Sequence, residues 1–364
     1  MIMGVVNIPQ TIRLIAHFDD LDEVIEILMR PLLTFVVCLV KLLHMWLFKE
    51  VMRPIVASIA EDWTTPKTKS QENLMLKYAR LTRKISATFF IVGYLALLFY
   101  VIIYTFTEVQ RKYPNGTEVH REFLFHADYI YDTSSTPVYL IVCSLQVLTV
   151  MYAALSFFTF DFFFAMMILH LCAQIAIQRA VIQNLDLGHS NGEKKVNFQG
   201  ILRSLVTRHD HLCWFAGKVE DSFNMVSLSL LLTCSIQFCL LGYRFIETLM
   251  TGTREAIIME GGFLAMYTSS LGLILFLFCY LGQCLHDEST GFCNSCYECE
   301  WYNLSPQDAR CIIVLMIRSQ CPLEITAGKF SALSFVTCAQ ILQTSLGYMS
   351  MLIAVKSKQL EMEN

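Results

Sequence analysis

The stretch GKFSALSFVTCAQILQTSLGYMSMLIAV, Gly328 to Val355, decides the fold. No charge occurs between Lys329 and Lys356. As a helix rising about 1.5 Å per residue, such a run is long enough to cross a hydrocarbon core about 30 Å thick. It is nevertheless dotted with Ser, Thr, Gln and Gly, which a helix facing only lipid does not need. Steps of three and four place Ser334, Thr337, Ile341, Thr344, Tyr348, Met351 and Val355 on one face, with Ser331, Gln340 and Gly347 alongside. A stripe that starts polar and ends apolar suits helix–helix packing. It also suits a pore wall that an apolar ring closes by dewetting, although periodicity alone favours packing.

Working back along the chain, Ile85 to Thr107, Thr133 to Phe160, Ser222 to Tyr243 and Gly261 to Leu285 also lack Asp, Glu, Lys and Arg. Pro31 to Phe48 is a further span, weakened by Lys41 near its middle and closed by Arg30 and Lys49. The chain has 364 residues, of which 55% are hydrophobic and 16% charged, against about 25% charged in soluble domains. This composition describes an all-α polytopic membrane protein. The opening MIMGVVNIPQTIRLIAHF is short and polar for a span and lacks the basic start of a signal peptide; it is expected to be the end of an incomplete first helix within residues 1–20.

Charge placement orients the chain. Lys49, Arg53, Lys67, Lys69, Lys77, Arg80, Arg83 and Lys84 crowd the loop from Lys49 to Lys84, whereas the next loop has Arg111, Lys112 and Arg121. The positive-inside rule makes the first loop cytosolic and the second external, where the Asn115-Gly116-Thr117 sequon is usable for glycosylation. Parity then puts the Cys284 to Trp301 stretch inside and the tail, 356–364, outside. Two helical patterns overrun the bilayer, one from Thr136 to about Leu185 and one from about Gly200 to Phe245, which predicts cytosolic helix extensions. By rise, Asp161 falls near the cytosolic interface. With no internal repeat and no Pro/Gly-rich linker, residues 1–355 read as a single domain.

The candidate reactive groups resolve into ordinary positions. Cys293, Cys296 and Cys299 have a metal-like spacing, but three cysteines at i, i+3 and i+6 of a helix cannot all reach one ion. His209 and His211, at alternate helix positions, point apart. Most of the fourteen Cys lie inside spans, where Cys behaves as a small hydrophobe. There is no nucleophile elbow, no phosphate-binding Gly loop and no pair of membrane carboxylates. The sequence therefore predicts no enzyme, no catalytic residue, no cofactor, no metal and no nucleic-acid partner.

Several segments carry a family likeness. CYLGQCLHDES at Cys279 to Ser289, CEW at Cys299 to Trp301, the run Ile312 to Ser345 and TSLGYMSML after it resemble the C-terminal signature of insect odorant receptors. RHDHLCWFAGKVEDSFN at Arg208 to Asn224 and EDW at Glu61 to Trp63 are similar to further segments of that family. The resemblance implies a seven-helix bundle of inverted topology, with a cytosolic N-terminus, in the plasma membrane of olfactory sensory neurons. It implies an odorant-gated, non-selective cation channel, a hetero-tetramer with a common co-receptor, gated without a G protein. This chain resembles a tuning subunit, lacking the co-receptor's insertion in the second cytosolic loop. A gustatory receptor of the same superfamily and a secondary transporter are the alternatives.

The resemblance also implies sites. The seventh helix, 326–355, would line the pore with Thr337, Gln340, Thr344 and Tyr348 and close it with Met351 and Val355. Residues 286–325 would anchor subunits to one another. An apolar volatile odorant would bind in the outer halves of the second, third, fourth and sixth helices. By helix depth these halves carry Phe35, Val36, Phe99, Tyr100, Ile103, Gln146, Thr149, Val150, Phe263, Met266 and Tyr267.

Overall fold

The computed structural model describes residues 4–16, 24–25, 27–28, 32–111, 135–184, 198–251 and 254–363. Its helices are α1 (Gly4–Ala16), α2 (Leu33–Leu47), α3 (Lys49–Thr64), α4 (Lys69–Arg111), α5 (Thr136–Gln183), α6 (Phe198–Thr251), α7 (Arg254–Glu298), α8 (Pro306–Ser319) and α9 (Phe335–Glu363). Among the described residues five helices are long and apolar enough to cross a membrane, namely α4, α5, α6, α7 and α9, and α2 is a shorter apolar helix.

Local sequence explains the boundaries. Pro137 sits in the first turn of α5, where the missing N–H costs no helical bond. Ser305 caps α8 by accepting the Asp308 N–H at 3.2 Å, followed by Pro306 at the first helical position. Within the spans, hydroxyls return to their own helix: Thr149 donates to the Leu145 carbonyl at 2.7 Å and Ser350 to that of Leu346 at 3.0 Å. A Ser or Thr satisfied this way can sit in an apolar setting without an orphaned polar group.

The core is an aromatic stack joining α5, α6 and α7. Phe164 lies 5.0 Å from Phe223 and 4.9 Å from Phe278, ring centre to ring centre, and Phe160 lies 5.4 Å from Phe223. The helix extensions predicted from the sequence are present, since α5 runs to Gln183 and α6 starts at Phe198. Asp62 at the end of α3 is held there by His170 of α5 (2.9 Å) and Arg208 of α6 (2.6 Å). Burial pushes the Asp62 carboxyl up, but the hydrogen bonds from His170 and Arg208 outweigh it and hold the group below the ordinary carboxylate value.

Between α8 and α9 the chain makes a small antiparallel hairpin, Thr326–Ala327 against Ser331–Ala332. It turns through Gly328 (φ 61) and Lys329 (φ 64), both left-handed. The hairpin is strapped to α6: Glu220 accepts from the Thr326 N–H at 2.7 Å and from its hydroxyl, and the Gly328 N–H donates to the Asn224 carbonyl at 2.9 Å. It also presses on α7, where a Cβ at Gly282 would stand 2.1 Å from the Leu333 oxygen. From this hairpin end, α9 rises along α6. Ser345 donates to the Ser235 carbonyl at 3.2 Å, Met349 rests on Gly242, and Lys356 pairs with Glu247 at 2.7 Å.

Candidate functional site

A cavity of about 210 Å³ opens among α2, α4, α5, α6 and α7, in the half of the bundle away from the hairpin. That is below the roughly 300–1,000 Å³ of sites for drug-sized ligands, so it suits a smaller molecule. Helix α2 supplies Thr34, Phe35, Val37 and Cys38, and α4 supplies Gly93, Ala96 and Leu97. Helix α5 contributes Val150 and a floor of Phe157 and Phe158, while α7 contributes Phe263, Met266, Tyr267 and Ile274. Gly93 lets the Phe158 ring lie against α4, because a Cβ there would stand 2.1 Å from the ring and displace it.

The lining is almost wholly apolar, with one polar cluster. The Gln237 amide N–H group donates to Thr34 Oγ1 at 3.1 Å and to the Tyr267 hydroxyl at 3.0 Å, and these two oxygens are 2.7 Å apart. Three helices thus meet at one hydrogen-bonded triad on the cavity wall. On an apolar wall such a triad offers a hydrogen-bonding point to a ligand that carries an oxygen. The Ser270 hydroxyl, also on the wall, is bonded to its own helix through the Met266 carbonyl at 2.9 Å.

Of the residues expected at the ligand site, Phe35, Val150, Phe263, Met266 and Tyr267 line the cavity. Val36 and Phe99 do not: they point outward and are 47% and 44% exposed. Successive helix residues turn about 100°, so selection by depth took Val36 together with its inward neighbour Phe35. Gln146 and Thr149 are buried but stand clear of the cavity. The side chains of Tyr100 and Ile103, and Asn115, lie outside the described residues. The expected walls omitted α6, which brings Leu230, Thr233, Cys234 and Gln237. A sequence signal for it existed: Gln237 is an amide inside a charge-free span.

Below the cavity floor sits a group that hydropathy does not foresee. Lys41 Nζ lies 2.6 Å from Asp161 Oδ1, with side chains 1% and 3% exposed. The ammonium also lies 3.2 Å from the Phe157 ring centre, a cation–π contact with a residue of the floor. Lys41 is thus an interior partner, and Asp161, read from the sequence as an interface residue, is enclosed in the bundle.

On α9 the expected pore residues separate. Gln340, Thr344, Tyr348, Met351 and Val355 are exposed along the helix. Thr337 is buried and turned into the hairpin, its hydroxyl donating to the Ala332 carbonyl at 2.6 Å. At the hairpin end, His209 stacks on Phe292 (4.9 Å) while His211 meets Ser58 (3.4 Å), so the two imidazoles face different neighbours. Among the described residues no group of His, Cys, Asp and Glu could hold a metal ion.

Known proteins give the same architecture. The insect olfactory receptor OR5 from Machilis hrabei superposes with a TM-score of 0.81 at 15% identity, covering 97% of this chain and 87% of that one. Its structure in complex with eugenol superposes with a TM-score of 0.76, covering 91% and 82%. In sequence, Odorant receptor 13a of Drosophila melanogaster is 30% identical over 54% of this chain and 49% of its own length. The odorant receptor coreceptor of Ooceraea biroi is 28% identical over 42% and 30%. The matches thus span about half or less of these relatives' length. The profile of the 7tm odorant receptor family matches residues 23–346. With that match across most of its length, the chain is a multi-pass membrane protein that belongs to the 7tm odorant receptor family.

Proposed function

We propose that this chain is an odorant-binding tuning subunit of a ligand-gated, non-selective cation channel assembled with the odorant receptor co-receptor. The observation that carries the reading is the cavity: apolar, about 210 Å³, set among five helices and provided with one polar triad. Aromatic and Met walls hold a small apolar volatile by dispersion and shape, and the triad orients its oxygen. The eugenol complex of the Machilis receptor, an aromatic molecule in a protein of the same fold, supports this ligand class.

In this reading the exposed face of α9, from Gln340 through Thr344 and Tyr348 to Met351 and Val355, lines the pore. Met351 and Val355 form its apolar gate. The hairpin end then faces the cytosol and the end of α9 the outside, an orientation supported by the basic loop between Lys49 and Lys84. Helix α8 and the end of α7 then join neighbouring subunits at the plasma membrane of olfactory neurons. Ligand opens the channel by binding the open-state cavity better than the closed one. Reversing a mostly closed population takes about 5.5 kcal/mol of differential affinity, summed over the bound subunits.

The test is odorant-evoked current in cells expressing this chain alone and with an insect co-receptor, with surface delivery of both verified. Current in the pair and none in either subunit alone is the expected result. Equal current from this chain alone would overturn the tuning-subunit assignment, and ligand uptake without current would point to transport.

A further inference from the structure

A second cleft lies at the hairpin end, apart from the cavity. It measures about 510 Å³ and opens between the early turns of α4 and the later part of α7. Lys77, Arg80 and Lys84 line one side, and Tyr280, Asp287 and Glu288 line the other. The three cations follow at i, i+3 and i+7, so they share one face of α4 over about 10 Å. All three are exposed. The charge-free run of α4 starts at Ile85, the very next residue, which sets this face at the height where the helix enters the bilayer.

Of the acids across the cleft, Glu288 has its own cation, while Asp287 bonds a neutral amide and keeps its charge, so the cleft as a whole remains net positive. Glu288 accepts from the Tyr78 hydroxyl at 2.6 Å and pairs with Arg179 at 3.0 Å, and Asp287 accepts from Gln283 at 2.8 Å. Among the described residues no carboxylate pairs with Lys77, Arg80 or Lys84. Toward the bilayer the cleft continues as an apolar strip on α7, where Leu273 and Phe276 are exposed on the same face as Tyr280 and the Phe276 ring stacks on Tyr280 at 6.1 Å. Three unmatched cations at headgroup height, opening onto an apolar strip, have the polarity profile of a phospholipid laid alongside.

We propose that this cleft binds an anionic phospholipid whose headgroup carries more than one phosphate. The Arg80 guanidinium suits a phosphate oxygen pair, with Lys77 and Lys84 as flanking point charges. A serine headgroup, with one net negative charge, leaves part of the net positive charge unmatched. Basic pockets between transmembrane helices recognise headgroups in this way.

The experiment uses the full chain purified in detergent and titrated with short-chain phosphatidylinositol bisphosphate. Phosphatidylserine and phosphatidylcholine of the same chain length are compared, and inositol trisphosphate serves as the free-headgroup probe. Preferential binding of the bisphosphate lipid is expected, weakened roughly a hundredfold by K77Q/R80Q/K84Q, since each basic residue contributes a factor of roughly five. The exposed control set K49Q/K69Q/R203Q is expected to bind as the unmodified chain does. Should the triple variant fail to purify, R80Q alone is expected to bind about fivefold more weakly at an unchanged melting temperature. Undiminished binding by the charge-neutralised variants overturns the site. Equal binding of phosphatidylserine overturns the multi-phosphate headgroup, and equal binding of inositol trisphosphate assigns the cleft to a soluble phosphate instead of a lipid.

Discussion

Lys41 Nζ and Asp161 Oδ1 meet at 2.6 Å across α2 and α5, sealed from solvent directly beneath the cavity floor. Removing one partner leaves an uncompensated interior charge, which costs about 3–5 kcal/mol, whereas replacing both by apolar side chains of similar volume is close to neutral. K41M is therefore expected to lower the melting temperature sharply and reduce surface delivery, and K41M/D161L to recover most of both. Thermal unfolding of the three detergent-solubilised proteins checks this. Equal melting of K41M and the unmodified chain would remove the pair from the account of stability.

In the proposed ligand site, the triad at Gln237 selects among ligands by their oxygens. In Q237L the Thr34 and Tyr267 oxygens lose a shared donor, a change of about 1–2 kcal/mol in any ligand contact they support. Half-maximal concentrations for oxygenated odorants are expected to rise roughly five- to thirtyfold, with hydrocarbon analogues of the same shape unaffected or improved. A uniform shift for both members of matched pairs would mean that Gln237 only packs.

Neighbouring residues on one helix are expected to behave differently. F35A and Y267A alter the cavity wall and should shift the dose–response curve, while V36A and F99A change outward-facing surface and should leave it in place. Dose–response curves recorded with the co-receptor present decide between these faces. An untouched curve in Y267A would remove that residue from the ligand site.

The apolar end of α9 makes a separate claim. M351S and V355S introduce hydroxyls where the proposed gate excludes water, and basal current is expected to rise in both. Basal and evoked currents that match those of the unmodified chain would disqualify this face as the gate.

The Asp62 junction gives a pH dependence. Its folded-state pKa is depressed, so the stabilisation is complete above the ordinary aspartate value of about 3.9 and is lost as pH falls through the lower folded value. Melting temperatures of the unmodified chain should fall through that acid window more steeply than those of D62N, which starts lower at neutral pH. Parallel curves for the two would show that the carboxylate is not the titrating group.

What the sequence discloses depends on how far a signal travels along the chain. The spans were legible because hydropathy is a local sum, and the long ends of α5 and α6 because their helical periodicity runs past the bilayer length. The pairing of Lys41 with Asp161 was not, since the partners are separated by more than two spans and each alone looks like a weakness in its helix. Phe35 and Val36 were indistinguishable by depth, and only the rotation of α2 within the bundle separates them. Thr337 fitted the polar stripe of α9 but belongs to the hairpin, whose reversal at Gly328 and Lys329 captures its hydroxyl.

Helix α6 is a shared wall. Cys234 and Gln237 face the cavity, while Ser235 and Gly242 on its other side bear Ser345 and Met349 of α9. A substitution here that retunes ligand preference also alters the bearing on which the last helix rests. In the proposed reading the ligand site is retuned more freely on α2 and α4, because α7 also carries the last helix: its Gly282 meets Leu333 and its Phe276 stacks on Phe335 at 5.7 Å. Comparing the variability of these walls across related genes would read that constraint from inheritance instead of from coordinates.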